Sequence, residues 1–404
     1  MTRFRPSVLC NAILLACTVL FCLLVLELAV RWISPQTRNT PTGLYLPHET
    51  RNFDLAVNAL GNYRGKDFSL EFTTNSRGLK DFEIAPKTGD EFRVLCVGDS
   101  YSMGHGLSID ESFPKVLERL LRADRPRSHI SVVNFGVGGY GPWQELSKLK
   151  DEGFDLQPDL VILQLYAEND IRDELERIGK RLQSTDAGYH RWSKMRNYSE
   201  LRRALRRKSA LFFLVDNKWQ TLDFGIQLRP LRIRFTDPNS GQIPGRPWIL
   251  ETSLKNYYPE LVEGWQLLEE SVRGIRDECQ SRSIPLYTLP IPADYELGVT
   301  MVRRALDLLG ANIDPEQYDF STNRRLMTAM LEKLALPEVD VYTPLAQSTG
   351  PSRYYWDHDR HFNTVGAQLV AELLKPVVWD EYRRWSEQGT SQPDDDSHGK
   401  RLPN

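Results

Sequence analysis

Four short stretches of this 404-residue chain carry residues able to do nucleophilic chemistry. Ser100 sits in "VLCVGDSYSMGHG" (Val94 to Gly106), where an apolar run breaks into Gly-Asp-Ser. A second run ends in "NFGVGGYG" (Asn134 to Gly141), a third in Glu168-Asn169-Asp170, and "DHDRHFNTVG" spans Asp357 to Gly366. A serine hydroxyl is a weak nucleophile until a base accepts its proton, and an imidazole does this best near neutral pH. Of the seven histidines, His398 lies in the polar tail, His48 near the N-terminal apolar segment, and His129 and His190 in polar connections. His105 shares the Ser100 loop and reads as a loop residue. His358 and His361 remain, just ahead of a helical pattern. Asp359 precedes His361 by two residues and Asp357 by four, so Asp359 is the expected carboxylate to fix the His361 tautomer and stabilise its charged form. Asp359 and Asn363 would also serve as helix caps.

Attack on an ester places negative charge on the carbonyl oxygen. Donors already aimed at it are each worth roughly 3 kcal/mol of barrier. The backbone N–H of Ser100, a backbone N–H exposed by a glycine of the second loop, and the Asn169 amide are the candidates.

These groups converge only if the fold brings strand ends together. "FRVLCV", "ISVVNF", "DLVILQL" and "PLYTLPI" read as strands, and helical patterns separate most of them. Phe113, Val116, Leu117, Leu120 and Leu121 share one helical face, as do Leu261, Trp265, Leu268, Val272, Ile275 and Cys279. A short strand "VDVY" and a last helix from Thr364 complete the series. Such alternation predicts an α/β, doubly wound parallel sheet, in which groups at the carboxyl ends of the strands share one crevice.

Composition is globular, and 51 Lys+Arg against 54 Asp+Glu leave no overall field that would favour nucleic acid. The cysteines show no zinc spacing; Cys96 reads as a buried strand residue, and a Cys96–Cys279 disulfide has no support in the sequence. The segment Val8 to Val30 is long and apolar enough to cross a bilayer. It reads as a signal anchor, ahead of a cleaved signal, a lipoprotein signal ending at Cys17, or a core helix; Glu27 near its end would snorkel. The expected organisation is a stub and anchor over 1–35, an extended or β lead-in over 36–90, and the α/β domain over 91–385, facing outward from a bacterial inner membrane. An insertion at about 172–258 interrupts the domain, and 386–404 reads as a disordered tail. Within the insertion "ELRRALRRKSALFFL" reads as a solvated basic helix, with anionic lipid or polysaccharide as alternative partners.

Taken in order, "GDSYS", "NFGVGGYG", "END" and "DRHFNTVG" resemble the four blocks of the SGNH superfamily, the GDSL-type esterases and lipases. The resemblance covers about Phe92 to Leu374 apart from the insertion. It implies a flavodoxin-like sheet, Ser100 as nucleophile, Ser100, Gly139 and Asn169 as oxyanion donors, His361 as base, and neither metal nor cofactor. Gly139 is taken because the family's glycine falls five residues after the strand-end Asn, here Asn134. Two departures stand out. The usual G-x-N-D block reads Ala167-Glu168-Asn169-Asp170, and the family's common Asp three residues before the histidine is His358 here, which leaves Asp357 as an alternative to Asp359.

The implied activity is hydrolysis of acyl esters, O-acetyl or short-chain. A transferase that passes the acyl group to an envelope polysaccharide would use the same residues, and an acetylated glycan would suit either. "GVGGYG" also satisfies the dinucleotide fingerprint G-x-G-x-x-G, but Pro142 and the short polar helix that follow fit it poorly. A non-catalytic carbohydrate-binding remnant is disfavoured because every required group is present.

Overall fold

The computed structural model describes residues 6–33, 44–179, parts of 201–215, 248–309 and 313–389. At its centre β5 (Phe92–Val97), β6 (Ile130–Asn134), β7 (Leu160–Leu165) and β8 (Leu286–Pro290) form a parallel sheet in the order β6-β5-β7-β8. β5 and β7 are buried at every position, as expected for inner strands covered on both faces. The chain passes from β5 to one side and then crosses to the other. The C-terminal end of β5 therefore lies at the switch point where doubly wound sheets place their crevice.

Helices cover both faces. In α3 (Phe113–Asp124) Phe113, Val116, Leu117 and Leu121 are buried, and Pro114 occupies the first turn, where its missing N–H costs nothing. The long helix Pro259–Ser281 buries Leu261, Leu268, Val272, Ile275 and Cys279, while Trp265 packs at its margin. The last helix, Thr364–Gly389, packs against α3 and runs four residues into the segment read as tail; 390–404 lies outside the described residues. Cys96 and Cys279 are both buried free thiols.

One strand expectation fails. "VDVY" (Val339 to Tyr342) forms no strand and is only preceded by a single bridge, Glu338 to Thr288. Just beyond it the Asp340 carboxylate accepts the Thr343 N–H at 3.0 Å and turns the chain into the short helix Tyr342–Ala346. Local capping overrides the β-prone composition.

The lead-in consists of two antiparallel hairpins, β1 (Tyr45–His48) with β2 (Asn52–Leu55) and β3 (Leu60–Arg64) with β4 (Ser69–Thr73). Leu44, Phe53, Leu55, Tyr63 and Phe72 form one apolar cluster with Met103, Val137 and Tyr140 of the strand-end loops. The lead-in is thus packed onto the face that carries the candidate site. Helix α1 (Pro6–Ile33) contains a 24-residue apolar stretch, Cys10–Ile33, long enough to span a membrane. Glu27 does not simply reach for water: its carboxylate accepts the Ser209 hydroxyl at 2.7 Å and the Ala210 and Leu211 N–H groups at 2.9 Å each. His190 and most of the insertion lie outside the described residues.

Candidate active site

β5 ends in Gly98-Asp99-Ser100, and Ser100 opens the four-residue helix α2 (Ser100–Met103). Asp99 caps it, accepting the Tyr101 N–H at 2.8 Å. Gly98 is required because a Cβ there would overlap Gln164 Oε1 and Ser102 Oγ. Gln164 Oε1 in turn accepts the Asp99 N–H at 3.0 Å, so β7 fixes the turn that presents Ser100. Ser102 points inward and is fully buried.

His361 arrives from the loop before the last helix. Its Nε2 lies 2.8 Å from Ser100 Oγ, and its Nδ1 lies 2.6 Å from Asp359 Oδ1. A carboxylate only accepts, so Nδ1 carries the proton and Nε2 is left bare to take one from Ser100. The same Oδ1 accepts the His361 backbone N–H at 2.8 Å. Asp357 is exposed, whereas Asp359 occupies Nδ1. His358 turns outward and pairs with Asp67 of the β3–β4 turn, which takes its Nδ1 at 2.7 Å and its backbone N–H at 2.8 Å.

Each residue of this pair favours the charged form of the other. Burial pulls the His361 pKa down, but Asp359 more than reverses this and leaves it above the ordinary histidine value. Burial works against the Asp359 charge too, yet the His361 and His105 imidazoles hold this carboxyl well below the usual range.

Two arginines clamp the histidine loop. Arg360, partly buried, forks onto Glu168 at 2.9 and 2.6 Å and donates to Asp294 through Nε at 2.8 Å. Arg304 pairs with Asp294 at 3.0 Å and donates to the backbone oxygens of Trp356 and Asp359. Tyr101 donates its hydroxyl to the Arg360 carbonyl at 3.0 Å, which ties the serine loop to the histidine loop. Glu168, next to the Ala167 that stands where the G-x-N-D block has glycine, is therefore part of this clamp.

Beside Ser100 the second loop is fastened to the first: Val137 N–H donates to Gly98 O at 3.0 Å. Gly139 has φ +84°, a left-handed conformation that strains any residue with a Cβ. Asn169 stands in the first turn of the helix Ala167–Arg177, and its Nδ2 donates to Asp99 Oδ2 at 2.9 Å. That bond uses one amide hydrogen and orients the other. Burial raises the Asp99 pKa, with the Tyr101 N–H and the Asn169 amide opposing it.

No protein-family model and no curated protein matches the chain. Solved structures similar to it include the lipase/acylhydrolase from Enterococcus faecalis, 13% identical, covering 72% of this chain and 96% of that one at a TM-score of 0.39. A GDSL-like lipase from Bacteroides thetaiotaomicron is 11% identical, covering 74% and 92%, at 0.35. An acetyl xylan esterase is 12% identical, covering 71% and 100%, at 0.36. The functional reading rests on the chain's own geometry.

Among the described residues two groups have the spacing of metal ligands, His105, Asp359 and His361, and His48, Asp54 and Glu152, with atoms within 4.8 Å of one another in each. In the first, Asp359 already faces both imidazoles, its Oδ1 2.6 Å from His361 Nδ1 and its Oδ2 3.3 Å from His105 Nε2. In the second, Lys148 pairs with Asp54 at 2.8 Å and with Glu152 at 3.1 Å.

His105 is the residue that sequence reasoning missed. It does not stand apart in its loop: its Nε2 lies 3.3 Å from Asp359 Oδ2, and its ring stacks on His361 with centroids 4.1 Å apart. The available signal was the Gly-His-Gly spacing, since Gly104 (φ +76°) and Gly106 (φ +75°) curl the loop back toward the histidine.

Proposed function

We propose that the chain is a serine esterase that hydrolyses short-chain acyl esters through an acyl-enzyme, with Ser100, His361 and Asp359 as its triad. The observation that carries this reading is the continuous hydrogen-bonded line from Ser100 Oγ through both ring nitrogens of His361 to Asp359. The order of the four sequence blocks supports it.

Ser100 Oγ attacks the ester carbonyl as its proton moves to His361 Nε2. The oxyanion is met by the Ser100 and Gly139 N–H groups and the Asn169 amide. Collapse breaks the bond to the alcohol, which leaves with the proton held on Nε2, and Ser100 keeps the acyl group. Water then attacks the acyl carbonyl, giving its proton to Nε2, and the acid departs as Ser100 regains a proton. One ester and one water yield one acid and one alcohol. Asp359 stabilises the imidazolium in both halves without being protonated.

The apolar helix supports attachment to a membrane, and we place the catalytic domain on its outer side. Full-length protein should release p-nitrophenol from p-nitrophenyl acetate, and Ser100→Ala and His361→Ala should each remove that activity while the circular dichroism spectrum is retained. Full activity in Ser100→Ala would end the assignment.

A further inference from the structure

We propose that His105 is a positioning residue for this site: held in one tautomer by Tyr63, it donates a second hydrogen bond to Asp359 and so sets how strongly that carboxylate supports the His361 imidazolium. The inference rests on the triad reading above and adds a residue to it.

Asp359 Oδ1 is already occupied by the backbone N–H and the Nδ1–H of His361. Its other oxygen, Oδ2, faces His105 Nε2 at 3.3 Å. Because a carboxylate only accepts, Nε2 must carry the hydrogen and Nδ1 must be bare. The Tyr63 hydroxyl stands over the edge of the ring, 2.7 Å from Nδ1 and 3.1 Å from Nε2. The nearer atom is the bare one, so the phenol donates to it. Burial raises the Tyr63 pKa well above its ordinary value and keeps the phenol protonated. Burial and the neighbouring His361 bring His105 down to about 4, so it stays neutral with a single N–H to give.

The surroundings hold this geometry. Tyr63 and Phe68, from the β3–β4 hairpin, contact the His105 ring edge-on at 5.2 and 5.5 Å. Lys80 Nζ, fully buried, donates to the carbonyls of Gly104 and Leu107 at 2.7 and 2.5 Å and pins the loop on either side of His105. The other groups that face His361 are Ser100, the Tyr101 ring at 4.9 Å, Asp99, which favours its charge, and Arg360, which opposes it. None of these contacts Asp359 Oδ2 in place of His105.

A second donor draws electron density from the carboxylate and weakens its hold on the imidazolium. Its removal should therefore raise the His361 pKa. It should also free the carboxylate plane to turn, which slows turnover.

The test uses the full chain in detergent, labelled with 15N-histidine, with His361 titrated by NMR and kcat/KM followed against pH. In His105→Phe, which keeps a stacked ring but no donor, the His361 pKa and the acid limb of kcat/KM should rise together by roughly half to one pH unit, with kcat about tenfold lower. Tyr63→Phe, which deletes one oxygen, should move both in the same direction by less. His105→Gln, which restores an N–H donor, should lie within about twofold of wild type. An unmoved His361 titration in both Tyr63→Phe and His105→Phe overturns the proposal, as does a His105→Gln profile identical to that of His105→Phe. The titration needs no turnover: a wild type that fails to hydrolyse esters defeats the triad reading through the kinetics, while the NMR still decides the role of His105.

Discussion

Asp359→Asn separates two things a catalytic carboxylate does, and the structure says which is lost. In other hydrolases the amide can select the wrong imidazole tautomer, at a cost of about 10⁴-fold in kcat. Here Oδ1 receives two N–H groups from the same residue, the backbone at 2.8 Å and Nδ1 at 2.6 Å. The amide oxygen will stay at that position, where both donors find an acceptor, and the amide nitrogen will turn toward His105, whose hydrogen must then move to Nδ1, with the Tyr63 hydroxyl accepting it, so that a bare Nε2 faces the amide. The His361 tautomer is preserved and the carboxylate charge is lost. An ion pair with charges about 4 Å apart is worth about 4 kcal/mol at an effective dielectric constant of about 20, or about 10³-fold in rate. The variant should thus retain about tenfold more activity than tautomer loss would leave. Without the carboxylate, burial acts unopposed on His361, so the acid limb of kcat/KM should move to lower pH, the reverse of the shift expected for His105→Phe. Stopped-flow release of p-nitrophenol across pH 4 to 9 would measure both quantities. Loss of less than tenfold, or an acid limb that stays in place, would refute the coupling of Asp359 to His361.

If, as proposed, the Asn169 amide serves the oxyanion and not the bound ester, Asn169→Ala should lower kcat about 10²- to 10³-fold with little change in KM; steady-state kinetics on p-nitrophenyl acetate will show the split. Arg360→Met leaves Glu168 and Asp294 facing each other in a buried site, and urea denaturation should report a loss of about 3–5 kcal/mol. In the wild type, activity should rise with pH through a midpoint above the ordinary histidine value of about 6.5, since His361 acts as a base only when neutral and its pKa is raised. A pH–rate profile with its midpoint below that value would contradict the assigned electrostatics.

Much of this site is legible in the linear sequence because parallel sheets obey a strong rule. Once "FRVLCV" and "DLVILQL" are read as buried strands, Ser100 and Asn169 must emerge at the same edge, and the small number of histidines leaves His361 as partner. Asp359 follows from its spacing. Contacts that depend on distant segments are harder to see. Tyr63 reaches His105 only because the β3–β4 hairpin folds down over the crevice, and Asp67 meets His358 across 291 residues of chain. Neither hairpin shows a periodic apolar pattern strong enough to announce this docking. The failed strand at "VDVY" has a local cause, the Asp340 cap, which a β-prone composition conceals.

The central claim is that Ser100 is the nucleophile. The most direct measurement is to treat the full-length protein with a fluorophosphonate ester and locate the adduct by peptide mass spectrometry. A single phosphonyl group on Ser100, formed slowly or not at all in His361→Ala, is the predicted result. An adduct on Ser102 or elsewhere, with Ser100 unmodified, would contradict it.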